Sequence, residues 1–196
     1  MAEKLRLFVS ATNDLEASRA VIGRAVAELP VQIGVEIRRT PVHGAAYDDI
    51  FELIANVDRA YFLMGRDITA PAGTEWYLGW KLERSILPLA AVVRRTPAAQ
   101  EFVRQFPGEW TRFRSRAELA RLVTLDLVRI LNHPANRYGL TVHDLELLKL
   151  HAASIRKHAP DVQGEPGGAE GGGVLLDTAH GDEFSEFDND EVLVTN

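Results

Sequence analysis

The 196-residue sequence contains no cysteine, and no apolar run in it approaches the ~20 residues that span a bilayer. The first absence excludes disulfide bonds, thiol catalysis and thiolate metal sites, and it fits a reducing compartment. The second predicts a protein with no membrane partner. Residues 1–4 lead directly into a strand-like run, without the basic and apolar regions of a signal peptide. We therefore expect a cytoplasmic protein.

The end of the first predicted strand lacks a glycine-rich phosphate-binding motif. Its sequence, Ser10-Ala11-Thr12-Asn13-Asp14, contains neither G-x-G-x-x-G nor a Walker sequence. Any phosphate contact would therefore use hydroxyl groups and backbone amides.

Metal-binding spacings are missing as well. His143, His151 and His158 lie seven or eight residues apart on a late predicted helix. Two helical turns rise by about 11 Å, which is too far for one metal ion. We predict no metal site and no bound cofactor.

Charge is distributed unevenly along the chain. Residues 159–196 contain ten acidic residues, no lysine or arginine, and seven of the 15 glycines. Such a composition predicts a disordered acidic tail. Near its end, Phe184, Phe187 and residues 192–194 alternate with acids, as in short interaction segments. We favour a tail that only improves solubility, with an interaction segment as the alternative.

Apolar strand patterns alternate with helical patterns in the preceding residues. Strands are predicted over residues 5–11, 31–37, 60–64, 86–93 and, as a short edge strand, 110–113. Helices are predicted over residues 13–29, 47–55 and 74–84, from residue 96 onward, and over residues 119–131. This alternation predicts an α/β fold, a three-layer sandwich with a mostly parallel sheet. Five strands favour the flavodoxin-like order 2-1-3-4-5.

The chain divides into three predicted regions. Residues 1–132 form the α/β domain, residues 133–158 a helical extension, and residues 159–196 the tail. A helix over residues 141–158 carries an apolar stripe formed by Leu145, Leu148, Ala152 and Ile155. Such a stripe is typical of a docking surface, so this helix and the tail are the candidate surfaces for a protein partner.

Arginines follow several predicted strands. They are Arg38 and Arg39 after the second strand, Arg66 after the third, and Arg94 and Arg95 after the fourth. In a parallel sheet these positions share one edge, and the helices that start near Asn13, Thr74 and Thr96 point their N-termini to it. The pattern suits a small anion, such as a nucleotide phosphate, and we expect no nucleic-acid partner. The alternative is that these arginines only extend from the strand ends into solvent and form no site.

The segment Gly73-Thr74-Glu75-Trp76-Tyr77-Leu78-Gly79-Trp80 opens the third long helix. Glu75 is the candidate acid-base or nucleophilic residue. The alternative is that its carboxylate only complements the dipole at the start of the helix. For Trp76 and Trp80 we favour core packing over an aromatic wall for a base.

The pattern Leu7-Phe8-Val9-Ser10-x-Thr12-x-Asp14-Leu15, followed by Arg19 and Val21, resembles the opening of a bacterial TIR-like domain of unknown function. That domain is often found ahead of STAND-type NTPase regions. Val35-Glu36, residues 60–64 and Thr74-Glu75 also resemble it, so the resemblance covers roughly residues 5–94. It implies a TIR-like sensing or signalling domain, as found in bacterial defence.

The layout is more distantly similar to nucleoside 2-deoxyribosyltransferases and to TIR enzymes that hydrolyse NAD. In the former, a Gly-Thr-x-x-Glu-Leu-Gly sequence carries the nucleophilic glutamate. Here Tyr77 occupies that position, and the nearest carboxylate, Glu75, lies two residues earlier. Two helical residues are about 200° apart, so Glu75 is expected to face another direction.

Three hypotheses follow. The leading one is a domain that binds a nucleotide or a nucleotide-derived ligand at the carboxyl edge of its sheet. Its predicted contacts are Ser10, Thr12, Asn13, Arg38, Arg66, Thr74 and Tyr77. The second is an enzyme that cleaves the N-glycosidic bond of NAD or a nucleoside through Glu75. The third is a protein-interaction scaffold without a ligand.

Overall fold

A computed structural model of the chain describes residues 2–41, 43–106 and 108–157. A five-stranded sheet lies between two layers of helices. The strands are β1 (Leu5–Ala11), β2 (Val35–Arg38), β3 (Arg59–Met64), β4 (Ile86–Ala91) and β5 (Thr111–Phe113). The helices are α1 (Arg19–Ala27), α2 (Tyr47–Ala55), α3 (Ala72–Lys81), α4 (Pro97–Gln105), α5 (Arg116–Leu131) and α6 (Val142–Lys157). A short 3-10 helix, Asn13–Ser18, precedes α1.

All strand pairs are parallel, and the strand order is β2-β1-β3-β4-β5. This confirms the predicted α/β fold and its strand order. The chain moves from β1 to one side of the sheet to form β2, and then crosses to the other side to form β3. The switch point, where α/β sheets bind ligands, therefore lies between the carboxyl ends of β1 and β3.

The two faces of β1 pack against different helices because successive side chains of a strand point to opposite sides. Leu5, Leu7 and Val9 join a core with α1 and α5, whereas Phe8 packs with α2 and α3. Ser10 has the parity of Phe8, so its hydroxyl lies on the α2–α3 side, near the carboxyl end of the strand.

Several predicted boundaries differ from the structure, and two of the differences have a physical reason in the contacts. The predicted helix over residues 13–29 begins as the 3-10 helix, because the Glu16 carboxylate does not cap it and binds Arg19 at 2.7 Å instead. The second strand was predicted over residues 31–37, but β2 starts at Val35, because Val31 is buried in the α1–α5 core ahead of the strand.

The late helix was predicted to extend to His158, and α6 ends at Lys157, the last residue that the structure describes. The Thr141 Oγ1 atom accepts a hydrogen bond from the Asp144 backbone at 3.2 Å, and Asp144 Oδ2 accepts one from the Thr141 backbone at 2.9 Å. Two members of the predicted stripe, Leu148 and Ala152, are buried in the core that includes α5. The predicted tail, residues 159–196, lies outside the described residues.

Candidate functional site

The Glu75 side chain points into the protein. It is only 2% exposed, in the first turn of α3, and faces the sheet. Its two carboxylate oxygens accept hydrogen bonds from the hydroxyls of Ser10, at the end of β1, and Thr40, after β2. Glu75 thus joins three segments that are distant in sequence. Both of its oxygens are engaged inside the protein.

A second network connects the loops after β1 and β3 at the switch point. Thr12 Oγ1 donates to Asp14 Oδ1 at 2.6 Å and accepts a hydrogen bond from the Gly65 backbone at 3.0 Å. The other Asp14 oxygen accepts from the Arg66 backbone at 2.8 Å. A Cβ atom at Gly65 would lie 2.0 Å from Asp14 Oδ2, so any larger residue there would displace the Asp14 carboxylate from its present position.

The loops after β3 and β4 are connected in a similar way. Asp67 Oδ1 accepts hydrogen bonds from the Thr96 hydroxyl at 2.5 Å and from the Ile68 backbone at 2.9 Å. The Thr96 backbone also donates to the Arg66 carbonyl at 2.9 Å. The loops after β1, β3 and β4 are therefore joined by hydrogen bonds into one connected unit at this edge of the sheet.

Positive charge accumulates beside this unit. The Arg95 side chain, after β4, is half-buried and donates to the Ala91 carbonyl at 2.7 Å. Burial and the positive charge of Arg112 in β5 lower the pKa of the Arg95 guanidinium, and Asp14 acts in the opposite direction. The Arg95 Nε atom is buried without a hydrogen-bond partner among the described residues. Arg112 pairs with Ala90 in the sheet, next to the carbonyl that Arg95 binds, so two arginines lie close together at this edge, an arrangement that favours an added anion.

Arg38 does not join this group. Its neighbour in β1 is Phe8, which in turn pairs with Ala60 of β3. The end of β3 lies four residues beyond Ala60, or about 13 Å along the strand direction. Arg38 Nε donates to Glu36 at 2.8 Å and lowers the pKa of that carboxyl. Arg38 thus lies at the side of the sheet, along the edge strand.

The other predicted contacts fall into two sets. Ser10 and Thr12 are buried, and their hydroxyls hold Glu75 and Asp14 as described above. The accessible set comprises exposed Asn13 and Arg66, half-buried Thr74, and Tyr77, whose side chain is 45% exposed. Tyr77 and Glu75 face different directions, as the helical periodicity predicts.

Trp76 belongs to the core. Its ring packs against four aromatic side chains with centroid distances between 4.7 and 5.8 Å. These are Phe62, Phe102, Phe106 and Trp110. Trp80, by contrast, is 57% exposed. The prediction of core packing therefore agrees with the position of Trp76 but not with that of Trp80.

Sequence reasoning missed two residues of the candidate site. Thr40 follows the arginines after β2, and no local pattern marks it as a partner of a residue 35 positions away. Arg112 lies inside the short edge strand β5, and a search for charges after strand ends passes over it. An alternation analysis of residues 110–113 could have placed Arg112 on the face opposite buried Phe113.

The described residues contain no group of three histidine, aspartate or glutamate side chains able to hold a metal ion. No helix among them is long and apolar enough to cross a membrane.

The arrangement can bind an anion more readily than it can supply a nucleophile. The accessible groups at the edge are guanidinium, amide and hydroxyl groups, which are ligands for phosphate or carboxylate. The nearby carboxylates of Asp14, Asp67 and Glu75 all accept hydrogen bonds that hold the loops or α3 in place. Comparison of the chain with protein-family models and with curated proteins gave no match in either case.

Proposed function

We propose that the protein binds a nucleotide or a nucleotide-derived anion at the carboxyl edge of its sheet, and that it acts as a sensing or signalling domain. The observation that carries the proposal is the position of Arg95, which binds the Ala91 carbonyl, and Arg112, which pairs with Ala90, beside the connected loops after β1, β3 and β4. The sensing role, in a setting such as bacterial defence, follows from the resemblance to the TIR-like domain.

The connected loops favour binding for a physical reason. A site whose loops are already fixed loses little conformational entropy when a ligand binds. Asp14 and Asp67 hold the loops through backbone and hydroxyl groups, which leaves the guanidiniums of Arg95 and Arg112 to meet the ligand's charge. The bound anion would relieve the repulsion between these two arginines.

The alternative is cleavage of an N-glycosidic bond by Glu75. Such chemistry requires the carboxylate to lie beside the reacting carbon of the ligand. Glu75 is buried and both of its oxygens are hydrogen-bonded, so this geometry is not present. The burial of Glu75 therefore supports a binding function over a catalytic one.

Titration calorimetry with ATP, NAD, tripolyphosphate and adenosine tests the proposal. We expect ATP to bind, uncharged adenosine to bind far more weakly, and added salt to weaken ATP binding through screening. A hydrogen bond to a charged group contributes about 1.5–3 kcal/mol, so Arg112→Gln should weaken ATP binding by about tenfold or more.

Arg104→Gln is the matched control. Arg104 is an exposed arginine in the last turn of α4, away from the carboxyl edge, and its partner is Glu101 on the same helix. Equal losses for both variants, or no binding by any phosphate compound, would contradict the proposal. NAD cleavage by the wild-type protein that disappears in Glu75→Gln would establish the alternative.

A further inference from the structure

A groove lies between α5, α6 and the beginning of β4. Its cavity volume is about 470 Å³, within the range of protein pockets that hold ligands. Its apolar lining comes from Leu87, Leu122, Leu125, Val128 and Ala152. The groove can therefore bury apolar side chains of an occupant.

Three cationic side chains border the groove. Lys149 and Arg156 on α6 form no ion pair with any described residue, and the Arg129 side chain is 76% exposed, with Asp126 at 3.8 Å. Asp126 is already bound by Arg59 through two contacts of 2.6 and 2.8 Å. The three cations are therefore poorly compensated, and they favour an acidic occupant.

We propose that this groove binds residues 182–194 of the same chain. This segment contains six acidic residues, no lysine or arginine, and the aromatic residues Phe184 and Phe187. Its apolar side chains match the lining of the groove, and its carboxylates match the three cations at the border. The proposal is independent of nucleotide binding, since the groove shares no lining residue with the carboxyl-edge site.

The spacing of the charges supports this occupant. Lys149 and Arg156 are seven residues apart on one side of α6, which corresponds to about 10.5 Å. An extended peptide advances about 3.3 Å per residue and points successive side chains to opposite sides, so Glu186 and Asp190, four residues apart on one side, span about 13 Å, which the long cationic side chains can bridge. The cations and the carboxylates can therefore pair along the groove.

The tether also suits an intramolecular contact. Arg156 lies one residue before the end of α6, and Phe184 follows 28 residues after Arg156. A glycine-rich chain of this length with random-coil dimensions has a root-mean-square span of roughly 30 Å. Short flexible linkers give effective concentrations on the order of millimolar, so even a weak contact would be populated.

Paramagnetic NMR on the full-length chain tests the proposal. Because the chain has no cysteine, Ser185→Cys can carry a single nitroxide label without other changes. We expect selective broadening of the amide signals of Leu122, Leu125 and Ala152, and little broadening at exposed Phe51 on α2. Raising the salt concentration should reduce the effect.

A charge variant supplies the second measurement. The triple substitution Arg129→Gln, Lys149→Gln and Arg156→Gln should abolish the selective broadening. A control that removes three exposed cations elsewhere, Lys4→Gln, Lys81→Gln and Arg104→Gln, should retain it. The substituted side chains lie at the surface, so both variants are expected to fold.

Three results would overturn the proposal. The first is broadening that is absent or centred outside the groove. The second is an equal loss of broadening in the two triple variants. The third is broadening that arises only between labelled and isotope-enriched molecules in a mixed sample, which would identify a second copy of the chain as the occupant.

Discussion

Glu75 shows at the scale of a single residue how burial determines the role of a carboxylate. Its two oxygens satisfy the buried hydroxyls of Ser10 and Thr40. Gln keeps one acceptor and adds a donor, and both hydroxyls can rotate to match it. We therefore expect Glu75→Gln to change the free energy of unfolding by less than about 1 kcal/mol.

Glu75→Ala should behave differently because it leaves two buried hydroxyls without a partner, together with a cavity. The expected loss of stability is about 2–4 kcal/mol. Urea denaturation of the two variants measures the difference. Equal destabilisation by Gln and Ala would show that the negative charge itself, rather than hydrogen bonding, maintains this network.

Gly65 allows a second prediction at this scale. A methyl group there would displace the Asp14 carboxylate, which binds the Arg66 backbone and the Thr12 hydroxyl. We expect Gly65→Ala to reduce the free energy of unfolding by about 1–3 kcal/mol. In an Asp14→Ala background the same substitution should cost much less, and a double-mutant cycle by urea denaturation measures this coupling.

Gly23 is the matched control. It lies inside α1, and a Cβ atom there would meet no atom within 4 Å. Ala is favoured over Gly in a helix by about 1 kcal/mol, so Gly23→Ala should stabilise the protein. The account of Gly65 fails if both substitutions shift stability in the same direction.

Local periodicity predicted some of these residue-level features. It predicted that Glu75 and Tyr77 face different directions, and the structure shows one buried and the other exposed. It did not predict that Thr40 would bind Glu75, or that Arg112 would act on Arg95. Those relations depend on how separate loops meet in three dimensions, which a pattern within one segment does not encode.

At the scale of elements, the N-terminus of α6 provides a prediction about pH. Hydrogen bonds from the Thr141 hydroxyl and backbone lower the pKa of Asp144 from its ordinary value of 3.8. A lowered pKa in the folded state means that the capping contribution is complete above pH 3.8 and is lost as the pH falls through the folded-state value. We therefore expect the first turn of α6 to fray on acidification below about pH 4.

Carbon-13 chemical shifts of residues 142–145 between pH 7 and pH 3 measure this change. Asp144→Ala should show a frayed first turn at pH 7 and little further change on acidification. A first turn that stays equally helical in both proteins across this range would show that packing of Leu148 and Ala152 alone maintains the helix.

The elements themselves were largely predictable because strands and helices have different hydrophobic periods. β1 and α2 have the predicted bounds. The 3-10 helix was not predicted, because the helical periodicity of residues 13–29 does not reveal that Arg19 binds the Glu16 carboxylate. β2 is shorter than predicted, since an apolar residue such as Val31 can enter the core without joining a strand.

At the scale of the whole molecule, the strand order places β1 and β3 side by side and so determines where the candidate site lies. The sequence predicted this edge, and the structure shows the loops there to be connected by Asp14 and Asp67. The structure also places Arg38 away from this edge. The sequence pattern could not predict this position because it does not contain the register of the strands.

The central claim is that an anionic nucleotide binds at this edge while Glu75 remains inside the protein. Amide chemical-shift mapping during an ATP titration of the full-length chain tests it most directly. We predict saturable shifts at Asn13, Arg66, Arg95 and Arg112, and small shifts at Arg38 and in α6. The claim is contradicted if ATP at millimolar concentration shifts none of these edge signals, or if the largest shifts lie elsewhere.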